Sequence, residues 1–134
     1  MGMTADRVGG MDCEQAKARC WIEVDLDTVA SNYREARRIC GEGVRVIPVL
    51  KANAYGLGAA RLSRLLCEAG AGLFAVAEPG EALALRRACG ADVLVLGRTA
   101  PLEMEAAIRA GVILTAYDLR QTEALNDEIG RAHV

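Results

Sequence analysis

The chain has 134 residues, of which 52% are hydrophobic and 25% are charged, and its formal net charge is −2. This composition is typical of one globular domain and not of a disordered segment. It contains no Lys/Arg-rich run and no apolar stretch of the roughly 18–20 residues that a membrane span requires, so we expect neither nucleic-acid binding nor a membrane. Because the first residues lack the apolar middle segment of a secretory signal, we expect a cytoplasmic protein.

The cysteines and the single histidine argue against disulfides and a metal site. The five cysteines are widely spaced and include no CxxC pair, so we expect free thiols; they are Cys13, Cys20, Cys40, Cys67 and Cys89. The single histidine is His133, so no metal site is expected.

Strand-like and helix-like segments alternate along most of the chain. Residues 1–18 show no steady period and are predicted to be a flexible leader, followed by a domain over residues 19–127. The predicted strands are 20–24, 44–50, 73–77, 92–96 and 112–116, and the predicted helices are 27–40, 59–69, 79–88, 101–110 and 119–127.

Capping residues support these helix boundaries. Asp27 and Asp118 are predicted N-caps, and Pro79 and Pro101 suit a first helical turn, where a missing N–H costs little. A glycine follows each of four predicted helices; these are Gly41, Gly70, Gly90 and Gly111.

Such alternation predicts an α/β fold with a parallel sheet and helices outside it. The runs at 44–50 and 92–96 are almost continuously apolar, as expected for strands that are covered on both faces. The pattern alone leaves an open doubly wound sheet and a closed barrel as alternatives. A closed (β/α)8 barrel requires eight units and roughly 250 residues, so a barrel interpretation makes this chain a partial (β/α)8 TIM-type barrel with only the first four to five strand–helix units.

The last seven residues, 128–134, read Glu-Ile-Gly-Arg-Ala-His-Val. A common sequencing-library adapter encodes this sequence in one reading frame. We therefore expect the segment to be a non-native tail, with the natural protein continuing beyond Asp127.

The most specific motif lies at residues 46–58, where an apolar strand ends in Lys51 and a glycine-containing loop follows. Parallel α/β folds place their sites at the carboxyl ends of the strands. Desolvation there would favour the neutral amine that a Schiff base requires. On the residues alone, a solvated lysine at a strand end is the alternative.

The motif Lys-Ala-Asn-Ala-Tyr-Gly-x-Gly, from Lys51 to Gly58, resembles the cofactor-attachment motif of the alanine racemase family. Segments at 21–27, 32–33, 74–77, 81–86, 93–97 and 114–117 resemble that family in the same order, so the resemblance runs from about residue 20 to residue 126. It implies a pyridoxal 5'-phosphate-dependent isomerase that interconverts L-alanine and D-alanine through a lysine-bound aldimine and supplies D-alanine for peptidoglycan. It also implies a homodimer for the full-length protein.

The same resemblance assigns roles to individual residues. Lys51 would hold pyridoxal phosphate and transfer a proton on one face of the substrate α-carbon, and the Tyr55 hydroxyl would bind the cofactor phosphate. Leu96 would lie beside the cofactor ring. Val49, two residues before Lys51 and so on the same strand face, is predicted to line the same floor. The second base and the arginine facing the pyridine nitrogen would lie outside this chain, which we therefore expect to be incomplete as an enzyme.

Other functions are less consistent with the motif. Gly56-Leu57-Gly58 offers a GxG after a strand, but Arg61 stands where a dinucleotide-binding fingerprint requires its third glycine. Within the same fold type III of pyridoxal phosphate proteins, the alternatives are a decarboxylase, a D-threonine-aldolase-like enzyme, an amino-acid racemase of broader specificity, and a non-catalytic carrier of the cofactor.

Overall fold

The computed structural model describes residues 22–132, in which short parallel strands alternate with helices. The helices are α1 (Leu26–Cys40), α2 (Lys51–Tyr55), α3 (Ala59–Glu68), α4 (Pro79–Cys89), α5 (Pro101–Arg109) and α6 (Leu119–Ala132). The strands are β1 (Leu73–Val76), β2 (Asp92–Val95) and β3 (Ile113–Leu114). The predicted alternation is confirmed from α3 onward.

The three strands form one parallel sheet in the order β1-β2-β3, which is also their order along the chain. Val76 pairs with Val95, and Val95 pairs with Leu114. A further parallel bridge joins Val49 to Ala75, so the segment before Lys51 lies along the free edge of β1.

The helices cover only one face of this sheet. On the covered face, Phe74, Val76, Val93 and Val95 are completely buried. The helices form a single layer in which α1 packs against α3, α3 against α4, α4 against α5, and α5 against α6. A doubly wound sheet would carry helices on both faces, so this arrangement is an arc of a (β/α) barrel.

The opposite face of the sheet carries no helix among the described residues. The register aligns Val49, Ala75, Leu94 and Ile113 across it. Val49 is 37% exposed and Ile113 is 44% exposed. We call the side chains of Val49, Leu94 and Ile113 the open face. The prediction that strand 44–50 is covered on both faces is therefore wrong for this chain.

Two predicted strands are shorter than expected. Segment 44–50 makes only the bridge at Val49, in which Leu50 N donates to Ala75 O (2.8 Å) and Ala75 N donates to Pro48 O (2.9 Å). Pro48 has no N–H to donate, and the segment is a sheet edge. Segment 112–116 is reduced to β3, and directly after this strand the Thr115 hydroxyl donates to Val95 O (2.7 Å).

The start of α1 also differs from the prediction. The N-cap is Asp25 and not Asp27, because Asp25 Oδ1 accepts from Thr28 N (3.0 Å). The Thr28 hydroxyl also donates to the Asp25 carboxylate, and the two hydrogen bonds from Thr28 lower the pKa of this exposed carboxyl. The stabilisation of the folded state by this cap is complete at pH values above 3.8, the ordinary pKa of an aspartate. It is lost as the pH falls through the lowered pKa of Asp25.

The predicted starts of α4, α5 and α6 agree with the structure. Asp118 Oδ1 accepts from Gln121 N (2.7 Å) at the start of α6. Pro79 and Pro101 begin α4 and α5. Gly90 ends α4 in a left-handed conformation with φ of 71°.

The leader 1–18 lies outside the described residues, as do Cys20 and Trp21 of the predicted first strand, and residues 22–24 are not in a strand. Helix α6 continues through Ala132, so residues 128–132 are helical and their non-native origin stays a prediction. No helix within residues 22–132 has both the length and the apolar character needed to cross a membrane.

Candidate functional site

Lys51 lies at the carboxyl edge of the sheet. The bridge with β1 ends at Leu50, whose φ of −117° and ψ of 23° take the chain out of the extended conformation, and α2 begins at Lys51. Leu96 N donates to Val76 O (2.8 Å) at the same edge. Since β1 lies between the two segments, the backbones at Lys51 and Leu96 are roughly 10 Å apart.

The turn after Lys51 has an unusual backbone. Ala52, Asn53 and Ala54 have φ of 51°, 53° and 56° with ψ of 47°, 46° and 47°, and Tyr55 has φ of 56°. This is one turn of left-handed helix, a conformation that costs roughly 1–2 kcal/mol per residue for amino acids other than glycine. We call residues Ala52–Tyr55 the left-handed turn.

Asn53 connects the left-handed turn to α3. Its Oδ1 accepts from Ala59 N (2.9 Å), and its backbone oxygen accepts from Gly58 N (2.9 Å). Gly58 is the N-cap of α3 and has no side chain to cap the helix. The Asn53 side chain therefore replaces the missing cap, and asparagine also tolerates the left-handed conformation better than most residues.

Glu81 ties the left-handed turn to β1, a role that no local sequence pattern predicts. Its Oε1 accepts from Ala52 N (2.6 Å) and its Oε2 accepts from Ala77 N (3.0 Å). Glu81 is the third residue of α4, a position from which glutamate often reaches back to the N–H groups before its helix. That position accounts for the bond to Ala77 but not for the bond to Ala52.

Lys51 and Tyr55 are brought together by the left-handed turn. Lys51 Nζ lies 5.9 Å from the centroid of the Tyr55 ring. Both side chains are exposed, Tyr55 to 64%. The desolvation expected for Lys51 is therefore not provided by residues 22–132, because no element covers this edge of the sheet.

The donor set fits an aldehyde cofactor that carries a phosphate. A primary amine can bond an aldehyde carbon, and a phenol hydroxyl can donate to a phosphate oxygen. The chain contains only two lysines, Lys17 and Lys51, and Lys51 is the one within the described residues.

Leu96 and Val49 are both partly exposed near this edge. Leu96 is 39% exposed at the end of β2, and its carbonyl accepts from the Tyr117 hydroxyl. Val49 belongs to the open face. Because Leu50 is not extended, the alternation that predicted Val49 and Lys51 on one strand face does not continue across it. Contact of either side chain with a cofactor stays a prediction.

The two cavities described do not include Lys51, Tyr55, Leu96 or Val49. One of about 280 Å³ lies behind the left-handed turn, against Asn53 and Glu81. The other, about 490 Å³, is lined by Gly43, Gly72 and Asp92, toward the amino end of the sheet. The predicted site is thus an open edge and not an enclosed pocket.

Fold and site together define a class of protein, a partial parallel α/β barrel with a lysine at the carboxyl edge of its sheet. Comparisons with known proteins identify the family. The model of the family described as "Alanine racemase, N-terminal domain" matches residues 24–134. This chain therefore belongs to the alanine racemase family.

Individual relatives agree with this assignment. The chain is 40% identical over 111 residues to alanine racemase 2 of Caldanaerobacter subterraneus subsp. tengcongensis, covering 82% of this chain and 29% of that protein. The structure of alanine racemase from Clostridium difficile 630 matches with a TM-score of 0.77 and 28% identity, over 81% of this chain and 28% of that one.

A third match is the alanine racemase from Bartonella henselae, whose crystal structure holds covalently bound pyridoxal phosphate. Its TM-score is 0.75 at 26% identity, and the match covers 82% of this chain and 31% of that chain. The chain thus spans less than a third of the length of these relatives. These structural matches confirm the partial (β/α) barrel.

Proposed function

We propose that this chain forms the cofactor-binding part of a pyridoxal phosphate-dependent alanine racemase. The observation that carries the proposal is the position of Lys51, an amine at the carboxyl edge of the parallel sheet, on a left-handed turn that also presents Tyr55. Membership of the family and the cofactor bound to the Bartonella henselae relative support it.

In this proposal each residue has a defined task. Lys51 Nζ holds the cofactor covalently and then moves a proton to or from the substrate α-carbon on one face. The Tyr55 hydroxyl donates to the cofactor phosphate, while Leu96 and Val49 supply apolar surface. When bound, the cofactor's conjugated ring stabilises the negative charge left at the α-carbon.

The enzymatic function needs groups beyond those described. Inversion requires a second proton-transferring group on the opposite face of the α-carbon. We propose that this group comes from a C-terminal domain of a partner subunit in a homodimer. The natural substrate of the assembled enzyme is then alanine, and its product is D-alanine for peptidoglycan.

Reductive labelling tests the cofactor site. The chain is incubated with pyridoxal phosphate, reduced with borohydride and digested with trypsin. We expect the label on the peptide of residues 46–61, at Lys51, and its loss in the variant Lys51→Arg. Since Lys17 is the one other lysine, equal labelling of Lys17, or no labelling at all, would contradict the proposal.

A chimaera tests the reaction. Residues 24–126 replace the matching segment of the Caldanaerobacter relative, and inversion of L-alanine is measured by polarimetry. We expect inversion in the chimaera and none in its Lys51→Ala variant. Labelling at Lys51 without inversion would instead indicate a carrier, and faster inversion of serine, lysine or arginine would indicate a racemase of broader specificity.

A further inference from the structure

Cys67 and Cys89 lie at one end of the helix layer, away from Lys51. Cys67 is the penultimate residue of α3 and Cys89 is the last residue of α4. Both helices begin at the carboxyl edge of the sheet, after the Lys51 turn and after β1. Their C-terminal ends therefore lie together at the amino edge of the sheet.

Direct contacts fix how α3 packs on α4 at this point. Arg64 Nε donates to Ala88 O (3.1 Å). Cys67 is three residues after Arg64 and so on the same face of α3, while Cys89 directly follows Ala88. The contact thus brings the two cysteines to the same level of the helix interface.

The two thiols are neighbours at the ends of the packed helices α3 and α4. Both side chains are partly buried and pack against the hydrophobic core. The Cys89 thiol donates to Leu85 O (3.3 Å). Burial, together with the neighbouring Cys89 thiol, raises the pKa of Cys67 to about 11. Within the described residues the third cysteine, Cys40, is exposed at the end of α1.

The geometry points to a reversible disulfide between Cys67 and Cys89 that joins the ends of α3 and α4. The oxidant we propose is a low-molecular-weight disulfide such as oxidised glutathione. One protein thiolate attacks that disulfide and releases one small thiol. The second protein thiolate then attacks the mixed disulfide, forming the Cys67–Cys89 bond and releasing the second small thiol. Two protein thiols are oxidised and one small disulfide is reduced to two thiols.

Two consequences follow for the behaviour of the pair. Because the thiolate of Cys67 is disfavoured, formation of the bond is slower than at an exposed thiol. Because the bond closes a loop between residues 67 and 89 in the unfolded chain, it raises Tm by several degrees, on the order of 5–10 °C. The bond lies at the opposite end of the sheet from Lys51 and leaves that amine accessible.

Peptide mapping tests the proposal on the 134-residue chain. After oxidation with glutathione disulfide and trypsin digestion without reductant, we expect peptides 65–86 and 88–98 to be linked. The link is lost in Cys67→Ser and in Cys89→Ser and is retained in the matched control Cys40→Ser. The same oxidation in concentrated urea is expected to give a much smaller yield of this link.

Three results would overturn the proposal. They are linkage of Cys67 or Cys89 mainly to Cys40, glutathione adducts without a protein disulfide, and an equal yield of the 67–89 link in urea. Retention of Lys51 labelling after oxidation is the additional readout, because it separates this remote cross-link from any effect on the cofactor site.

Discussion

Among single residues, Glu81 makes the contacts on which the position of Lys51 depends. One carboxylate oxygen accepts from Ala52 N, directly after Lys51, and the other accepts from Ala77 N at the end of β1. A carboxylate can accept both bonds, whereas the glutamine amide has one oxygen and turns its NH₂ group toward the second N–H.

We therefore predict that Glu81→Gln lowers the free energy of unfolding by about 1 kcal/mol and reduces borohydride labelling of Lys51. Urea denaturation and peptide mapping measure the two effects. Glu103→Gln is the matched control, because Glu103 is also the third residue of a helix that begins with proline. Equal effects of the two substitutions would refute the role of Glu81.

The sequence identified Lys51 and Tyr55 as candidate site residues, but it did not predict the contact between Glu81 and the turn that follows Lys51. The motif around Lys51 and Tyr55 is local, so it identified the segment that forms the left-handed turn. The bond from Ala52 N to Glu81 joins residues 29 positions apart. It exists only because a strand–helix unit returns the chain to the same sheet edge, and no local pattern reports that pairing.

At the level of elements, the left-handed turn and α3 are coupled through Asn53. Its side chain caps α3 from five residues before Gly58 and its own backbone is left-handed. Alanine at this position loses the cap and adopts the left-handed conformation less readily.

Asn53→Ala is expected to destabilise the protein by about 1–2 kcal/mol and to increase hydrogen exchange at the first N–H groups of α3. The control is Asn32→Ala, which removes an exposed asparagine from the middle of α1. If both variants lose the same stability and α3 keeps its protection, the cap does not act as described.

Element boundaries were predictable where a local residue determines them. Pro79, Pro101 and Asp118 marked helix starts correctly. The strands at 44–50 and 112–116 were overestimated, because the length of an edge strand depends on a neighbour and not on its own β-propensity. Asp27 was a plausible cap by type, but Asp25 is the residue whose backbone is extended.

For the whole molecule, the open face is the surface that we expect to determine self-association in solution. Val49 and Ile113 are exposed on a sheet face that no helix of residues 22–132 covers. Apolar side chains beside an unpaired strand edge favour association with other molecules. We therefore predict that the 134-residue chain self-associates in a concentration-dependent manner.

Ile113→Lys is expected to shift the chain toward the monomer in sedimentation velocity experiments, since it places a charge on the open face. Leu102→Lys adds the same charge at a residue that is 88% exposed in α5, on the helix layer, and is expected to leave association unchanged. A monomeric wild-type chain, or an equal shift in both variants, would show that the open face is not the surface involved.

The strands of the sheet follow one another in space in the same order as along the chain. Each strand–helix unit therefore packs against the unit that precedes it in the chain, and most contacts join neighbouring segments. Each parallel pairing therefore closes a loop of only one strand–helix unit, which limits its loop-closure cost, although parallel pairing is slower than the packing of helices. During synthesis, each new unit is able to add to a growing arc as it leaves the ribosome, so the lysine-bearing turn acquires its support from β1 and α4 early.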